Sequence, residues 1–302
     1  MAQPYFSLDA IQPALVKVAL GDRGFKWTSK YGSVIASVYE AGTSDGMNET
    51  GLVANLLFLV ETEYPSAEGD PRPPLPISAW AQCVLDSFAT VEEAVAEMRD
   101  APFRAVMVVA PNGAEGDIHL SISDPTGDSA IFEYIGGRLV IHHGREYQVM
   151  TNSPVYDEQL ALNAYWKEIG GTIMLPGTNR AADRFARASF YINATKQSAD
   201  PREAVASVFS VMRNVSVPIG ISAPDRPNIS STIWRTVADQ KNRAYYYEDS
   251  LSPTIVWVDL KRIDFREGSG VRKLTLHGNL DLGGNQAANF VQTEPFVFLA
   301  PN

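Results

Sequence analysis

Between residues 104 and 142 four short runs, 104–110, 117–123, 129–135 and 138–142, are separated only by "PNGAEG", "DPTGD" and "GG". Connections this short and this rich in Gly, Pro, Asn and Asp are tight hairpin turns. The stretch therefore predicts consecutive antiparallel strands, and the rest of the fold has to be built around them. A fifth strand, 147–151, leads to Asn152, where Ser153-Pro154 turns the chain toward a helix. Upstream, "YGSVIASVYE" and "GLVANLLFLVE" read as two strands joined by the turn-rich "AGTSDGMNET". The second is apolar on both faces, which places it centrally in a sheet. Downstream, "STIWRTVADQKNRAYYYED" reads as a hairpin around Lys241-Asn242, and strands continue to "FVFLA".

Helical spacing fills the gaps. After the breaker "PRPPLP", the residues Ile77, Trp80, Ala81, Val84, Leu85 and Phe88 keep the i, i+3, i+4, i+7 pattern of an amphipathic helix over 77–88. Thr90 with Glu93 makes a capping box for a second helix over 91–98. Further helices are predicted over 156–169 and 181–194, and after Asp200 as N-cap with Pro201 at the first helical position. Strands, helices and strands again, with few regular βαβ alternations, predict an α+β fold with a largely antiparallel sheet system. No repeat and no Gly/Ser-rich linker divides the 302 residues, so one domain over 1–302 is expected.

A hydrophobic content of 45% allows a substantial core. The formal charge of −10, without a basic cluster, argues against nucleic acid or an anionic membrane as partner. The longest apolar run, 52–60, is broken by Asn55 and is far short of the roughly 20 residues that span a bilayer. "MAQPYFSLDA" lacks the basic and apolar regions of a secretion signal, which leaves the location open.

Familiar constellations are missing. There is no G-x-S-x-G elbow, P-loop, H-E-x-x-H or C-x-x-C. His142 and His143 are neighbours in a strand and point to opposite faces, so they are poorly placed to share a metal. His119 and His277 stand alone, and no metal or other cofactor is expected. Cys83, the single cysteine, falls in the apolar stripe of the 77–88 helix and reads as a small buried hydrophobe. Taken alone, "DGMNETGL" can be a hairpin connection in which Gly46 and Asn48 supply unusual backbone angles. "LPGTNRAADRFARASFY" can likewise be a loop leading into a helix with Arg184 on its solvent face.

Taken in order, five segments carry more. "WTSKYGSV" at Trp27, "DGMNETGL" at Asp45, "MTNSPVYDEQLALN" at Met150, "LPGTNRAADRFARASF" at Leu175 and "RAYYYED" at Arg243 resemble the choloylglycine hydrolases. Within that family they look most like the penicillin V acylases of Gram-negative bacteria, over a span from about Trp27 to the C-terminus. The resemblance implies an αββα sandwich of the N-terminal-nucleophile hydrolases that cleaves the amide of a small N-acyl substrate. Penicillin V, conjugated bile salts and N-acyl homoserine lactones are the candidates, and Phe58, an aromatic wall, favours the first and last. The nucleophile it implies is a terminal cysteine with its own α-amine as base. By the same resemblance, the Asn152 amide and the Phe58 backbone N–H are oxyanion donors, and Arg184 stands beside the thiol and favours its thiolate. Such donors are worth ~3–4 kcal/mol each in the transition state. A homo-oligomer, tetrameric in relatives, is also implied.

The opening departs from that pattern. Only 26 residues precede Trp27, and the expected Cys, Arg and Asp are not recognisable among them. Removal of Met1 would expose Ala2, which carries no nucleophile. The sequence therefore predicts a sandwich lacking its first strands and its cysteine, with a periplasmic location only if an export signal precedes it. Two functions stay open: an amide hydrolase whose nucleophile lies outside these residues, and an acyl-amide-binding remnant without turnover. Binding with no hydrolysis separates them.

Overall fold

The last three runs of the hairpin series form one end of a nine-stranded antiparallel sheet in the computed structural model, which describes residues 6–13, 16–18, 21, 23–221 and 231–301. The first run is a strand only over Arg104–Val106 and pairs in parallel with Pro74–Pro76 outside that sheet. From edge to edge its strands are Arg138–His143, Ser129–Ile135, Ile118–Ser123, Val53–Phe58, Gly42–Asn48, Ser33–Val38, Phe6–Ile11, Val271–Thr275 and Val291–Thr293. Val53–Phe58 lies fourth, the interior place its two-sided apolar pattern predicts. A smaller sheet holds Trp234–Asp239, Ala244–Asp249, Val256–Asp259 and Gly284–Asn285, with the last strand parallel to its neighbour.

Alternation along the strands builds two cores. On Ser33–Val38 the side chains of Val34 and Ala36 face the small sheet, whereas Ile35 faces the opposite side. Between the sheets, Leu8, Met47 and Val53 meet Tyr245, Tyr247 and Val258. The other face of the large sheet packs on helices α1 (Trp80–Ser87) and α2 (Val91–Met98) through Trp80, Val84, Val91 and Val95. Helices α3 (Tyr156–Ile169), α4 (Ala181–Ala194) and α5 (Pro201–Asn214) follow the hairpin series. On α5, Phe209 stands edge-on to Tyr246 of the small sheet at 6.4 Å. Helices, sheet, sheet and helices are therefore stacked in the αββα order.

Several boundaries differ from the sequence reading. The segment "AGTSDGMNET" is a strand, Gly42–Asn48, flanked by turns, so three strands stand where two are predicted. Gly46 has ordinary strand geometry and serves close approach instead: a Cβ there would lie 2.7 Å from the Val34 carbonyl oxygen and from Ile35 Cγ2. The first turn of the 77–88 helix is a 3₁₀ turn, Ile77–Ala79. Among the described residues, neither 147–151 nor 296–300 joins a sheet. Phe6–Ile11 is a strand that alternates Phe6, Leu8 and Ala10 inward, a signal overlooked in the sequence. Residues 1–5, on which the expected loss of opening strands partly turns, lie outside the described residues.

Candidate active site

Asn152 sits where 147–151 meets the cis Ser153–Pro154 bond, and two helices clamp that point. From α3, Gln159 Nε2 donates to the Asn152 carbonyl at 2.8 Å. From the other side, Thr151 Oγ1 donates to the carbonyl of Ala181, the first residue of α4, at 3.0 Å. The Asn152 side chain reaches back to the large sheet, where its Nδ2 donates to the Phe58 carbonyl at 2.7 Å. That bond uses one amide hydrogen and leaves the other without a partner among the described residues.

Phe58 is the last residue of its strand and faces Ile118 in the register. Its neighbour Leu59 donates to Asp117 at 2.8 Å, so Phe58 occupies the non-bonded position of the antiparallel pair. Its N–H and C=O consequently point away from the Ile118–Ser123 strand. On the other flank, pairing with Gly42–Asn48 extends only from Met47 opposite Val53 to Asp45 opposite Asn55. The Phe58 amide thus shares the edge that the Asn152 side chain approaches.

Arg184 completes the group. It lies one turn into α4, where Nε donates to the Asn179 carbonyl at 3.1 Å and Nη2 to Asn152 Oδ1 at 2.6 Å. Burial, reinforced by the nearby Arg187, pulls its pKa down to about 10, so the guanidinium stays charged at neutral pH. The loop before α4 is held by Arg187, whose Nη1 donates to the carbonyls of Pro176 at 2.7 Å and Thr178 at 2.9 Å. Arg184 is therefore turned inward, not toward solvent.

Two cavities adjoin the group. One of about 650 Å³ has Leu57, Met150, Arg184, Val211 and Trp234 in its walls. A second of about 210 Å³ touches Phe58 and is mainly apolar, with Val38, Leu56, Ile77 and Val108. Behind the first, Trp234 Nε1 donates to the buried Asp45 carboxylate at 3.0 Å, and the Tyr245 hydroxyl donates to the same group. Burial raises the Asp45 pKa to about 7. Cys83 lies elsewhere, 3% exposed in the helix-side core, with its thiol pushed up mainly by burial. It cannot supply a thiolate at neutral pH.

Residues 11–271 match the choloylglycine hydrolase family of linear amide C–N hydrolases. The chain belongs to this family. A penicillin V acylase from Pectobacterium atrosepticum is 49% identical in an alignment of 304 positions that covers 92% of this chain and 80% of that protein. The structure of a penicillin V acylase from Agrobacterium tumefaciens superposes with a TM-score of 0.90 at 54% identity, covering 98% of this chain and 92% of that one. A conjugated bile acid hydrolase from Clostridium perfringens shares the fold at a TM-score of 0.73 and 23% identity, over 89% and 88% of the two chains. The choloylglycine hydrolase reaction is hydrolysis of a linear amide, and this chain is an enzyme of that type.

Within this choloylglycine hydrolase fold, the three residues singled out by resemblance converge, although they are far apart in sequence. The contact at Phe58 is made through its carbonyl, with the N–H alongside. Sequence reasoning missed His119, Glu133 and Gln159, which surround the Thr151–Asn152 backbone. One signal was available: Glu133 interrupts the apolar "SAIFEYI", and a carboxylate at an interior position requires a partner. Among the described residues no cluster of His, Cys, Asp or Glu could hold a metal ion, and no helix is long and apolar enough to cross a membrane.

Proposed function

We propose that this chain, as a single domain, hydrolyses the amide of penicillin V or of an N-acyl homoserine lactone, the latter being a quorum-quenching activity. The observation that carries this is the run of hydrogen bonds from Arg184 through Asn152 to Phe58. A thiolate sulfur attacks the acyl carbonyl, and the charge that develops on oxygen is met by the free Asn152 N–H and the Phe58 N–H. The Arg184 guanidinium holds the Asn152 amide in that direction and favours the thiolate. As the C–N bond breaks, the amine leaves with the proton first taken from the thiol by the α-amine. Water then cleaves the thioester. By the family resemblance that thiol belongs to a terminal cysteine; Cys83, the single cysteine of the 302 residues, is sealed in the core and does not serve. The apolar groove beside Phe58 receives the phenoxy or alkyl acyl group.

Release of phenoxyacetate from penicillin V, or of fatty acid from a long-chain acyl homoserine lactone, tests the proposal directly. Hydrolysis that disappears in Asn152→Ala is the expected result. Equal hydrolysis by that variant would overturn the assignment. The burial of Cys83 favours a second reading, binding without turnover. Calorimetric binding of penicillin V by the 302-residue chain with no product formed would select it. We also propose a homo-oligomer, supported by the exposed pair Ile173 and Met174 between α3 and α4, to be read by light scattering.

A further inference from the structure

Residues 147–151 deliver Asn152 to the site yet pair with no strand among the described residues, so side chains hold what a ladder would otherwise hold. At the near end Ser129 Oγ donates to the Tyr147 carbonyl at 2.8 Å. At the far end the Thr151 carbonyl lies 2.7 Å from His119 Nε2. His119 is only 1% exposed and stands opposite Leu57, the residue before Phe58. Its Nδ1 is 2.9 Å from Glu133 Oε1 on the adjoining strand. The other Glu133 oxygen accepts the backbone N–H of Tyr156, the first residue of α3, at 2.9 Å.

Donor and acceptor roles follow from these partners. A carbonyl oxygen only accepts, so Nε2 must carry a hydrogen. Nδ1 and Glu133 Oε1 would repel each other as two bare acceptors, so a proton also lies between them. The result is a buried His119–Glu133 pair that shares this proton, and neither partner is satisfied without the other. A pair that only braced the sheet would bond from strand to strand. This one aims Nε2 at a carbonyl outside the sheet, one residue before Asn152.

We propose that His119, held by Glu133, is the positioning residue for Asn152 and sets where the Asn152 amide meets the reacting carbonyl. The proposal rests on the oxyanion role of Asn152. It acts through the Nε2–H bond. Glu133→Gln should therefore retain it, because a neutral imidazole with its hydrogen on Nε2 still donates to Thr151. His119→Ala abolishes it.

The test reads position and chemistry separately. In the nitrogen-15 spectrum, the Asn152 side-chain amide signal is assigned by its loss in Asn152→Ala. It should move or broaden in His119→Ala and stay in place in Glu133→Gln. In the same proteins, kcat for penicillin V should fall ~10²-fold in His119→Ala with KM nearly unchanged, as expected for misplacement of about 1 Å. An unmoved Asn152 signal in folded His119→Ala overturns the proposal. A moved signal with unchanged kcat supports the positioning and instead sinks the oxyanion role. If His119→Ala does not fold, histidine labelling of the unaltered protein decides. A hydrogen on His119 Nε2 is expected, and an Nε2 without one overturns the proposal.

Discussion

Arg184 Nη2 donates to Asn152 Oδ1 at 2.6 Å, and this contact decides which way the Asn152 amide faces. A guanidinium has no acceptor, so the side-chain oxygen must turn to it and the amino group must turn to Phe58. Arg184 thus orients the donor as well as contributing charge.

Replacing Arg184 should therefore cost more than its charge. Arg184→Lys keeps a cation but loses the planar fork that reaches both Asn179 and Asn152. For both Arg184→Lys and Asn152→Ala, kcat for penicillin V should fall about 10²–10³-fold, the usual loss for an oxyanion donor. A lysine variant with native kcat would show that charge alone suffices.

The pH dependence of stability should carry the mark of Asp45. Its folded pKa, raised by burial to about 7, exceeds the unfolded value near 3.9. Between these values the native state holds a proton that the unfolded state has lost, so stability falls as pH rises from about 4 to about 7 and then levels. The contribution is of order a few kcal/mol. Denaturant titrations at pH 5 and pH 7.5 should differ less in Asp45→Asn than in the unaltered chain. Buried Asp9 and Asp86 are shifted in the same direction, which is why the comparison with the variant is needed.

Cys83 should be silent. Thiol reagents should label it only after unfolding, because its thiol is buried and held protonated. Cys83→Ala should leave any hydrolysis unchanged and lower stability by about 1–2 kcal/mol. Rapid labelling of native protein at Cys83 would contradict the assignment.

Asn48 should matter for stability more than an asparagine in a turn motif would. It is fully buried, and its Nδ2 donates to the carbonyls of Leu85 at 2.9 Å and Phe88 at 2.8 Å at the end of α1. Its Oδ1 accepts from the Thr50 and Leu52 amides at 3.1 and 3.0 Å. Asn48→Ala strands groups on both sides at roughly 1–3 kcal/mol each. Denaturant melts should show a loss of at least about 3 kcal/mol, and a loss below about 1 kcal/mol would mean that the site relaxes.

Much of the fold was legible because its signals are local. The turns "PNGAEG", "DPTGD" and "GG" impose tight reversals, and the spacing from Ile77 to Phe88 imposes a buried helical face. The helices α2 to α5 are readable for the same reason, down to the Asp200 cap, whose side chain accepts from Arg202 at 2.8 Å. Residue order also supplied the family pattern, and with it Asn152, Arg184 and Phe58 as candidates.

What the sequence alone determined, then, is the helices, the tight reversals between 110 and 138, and which five segments mark the family. The tertiary structure decided the rest, because hydrogen-bond partners 94 residues apart, such as Asn152 and Phe58, leave no periodicity behind. It placed "AGTSDGMNET" inside the sheet, where Gly46 lets the Ser33–Val38 strand come close. It turned Arg184 inward by giving its guanidinium two oxygens to bond. It also gave His119, isolated in the sequence, a carboxylate on one side and the Thr151 carbonyl on the other. Burying a polar group is costly unless a partner meets it, and only the folded chain shows which partners meet.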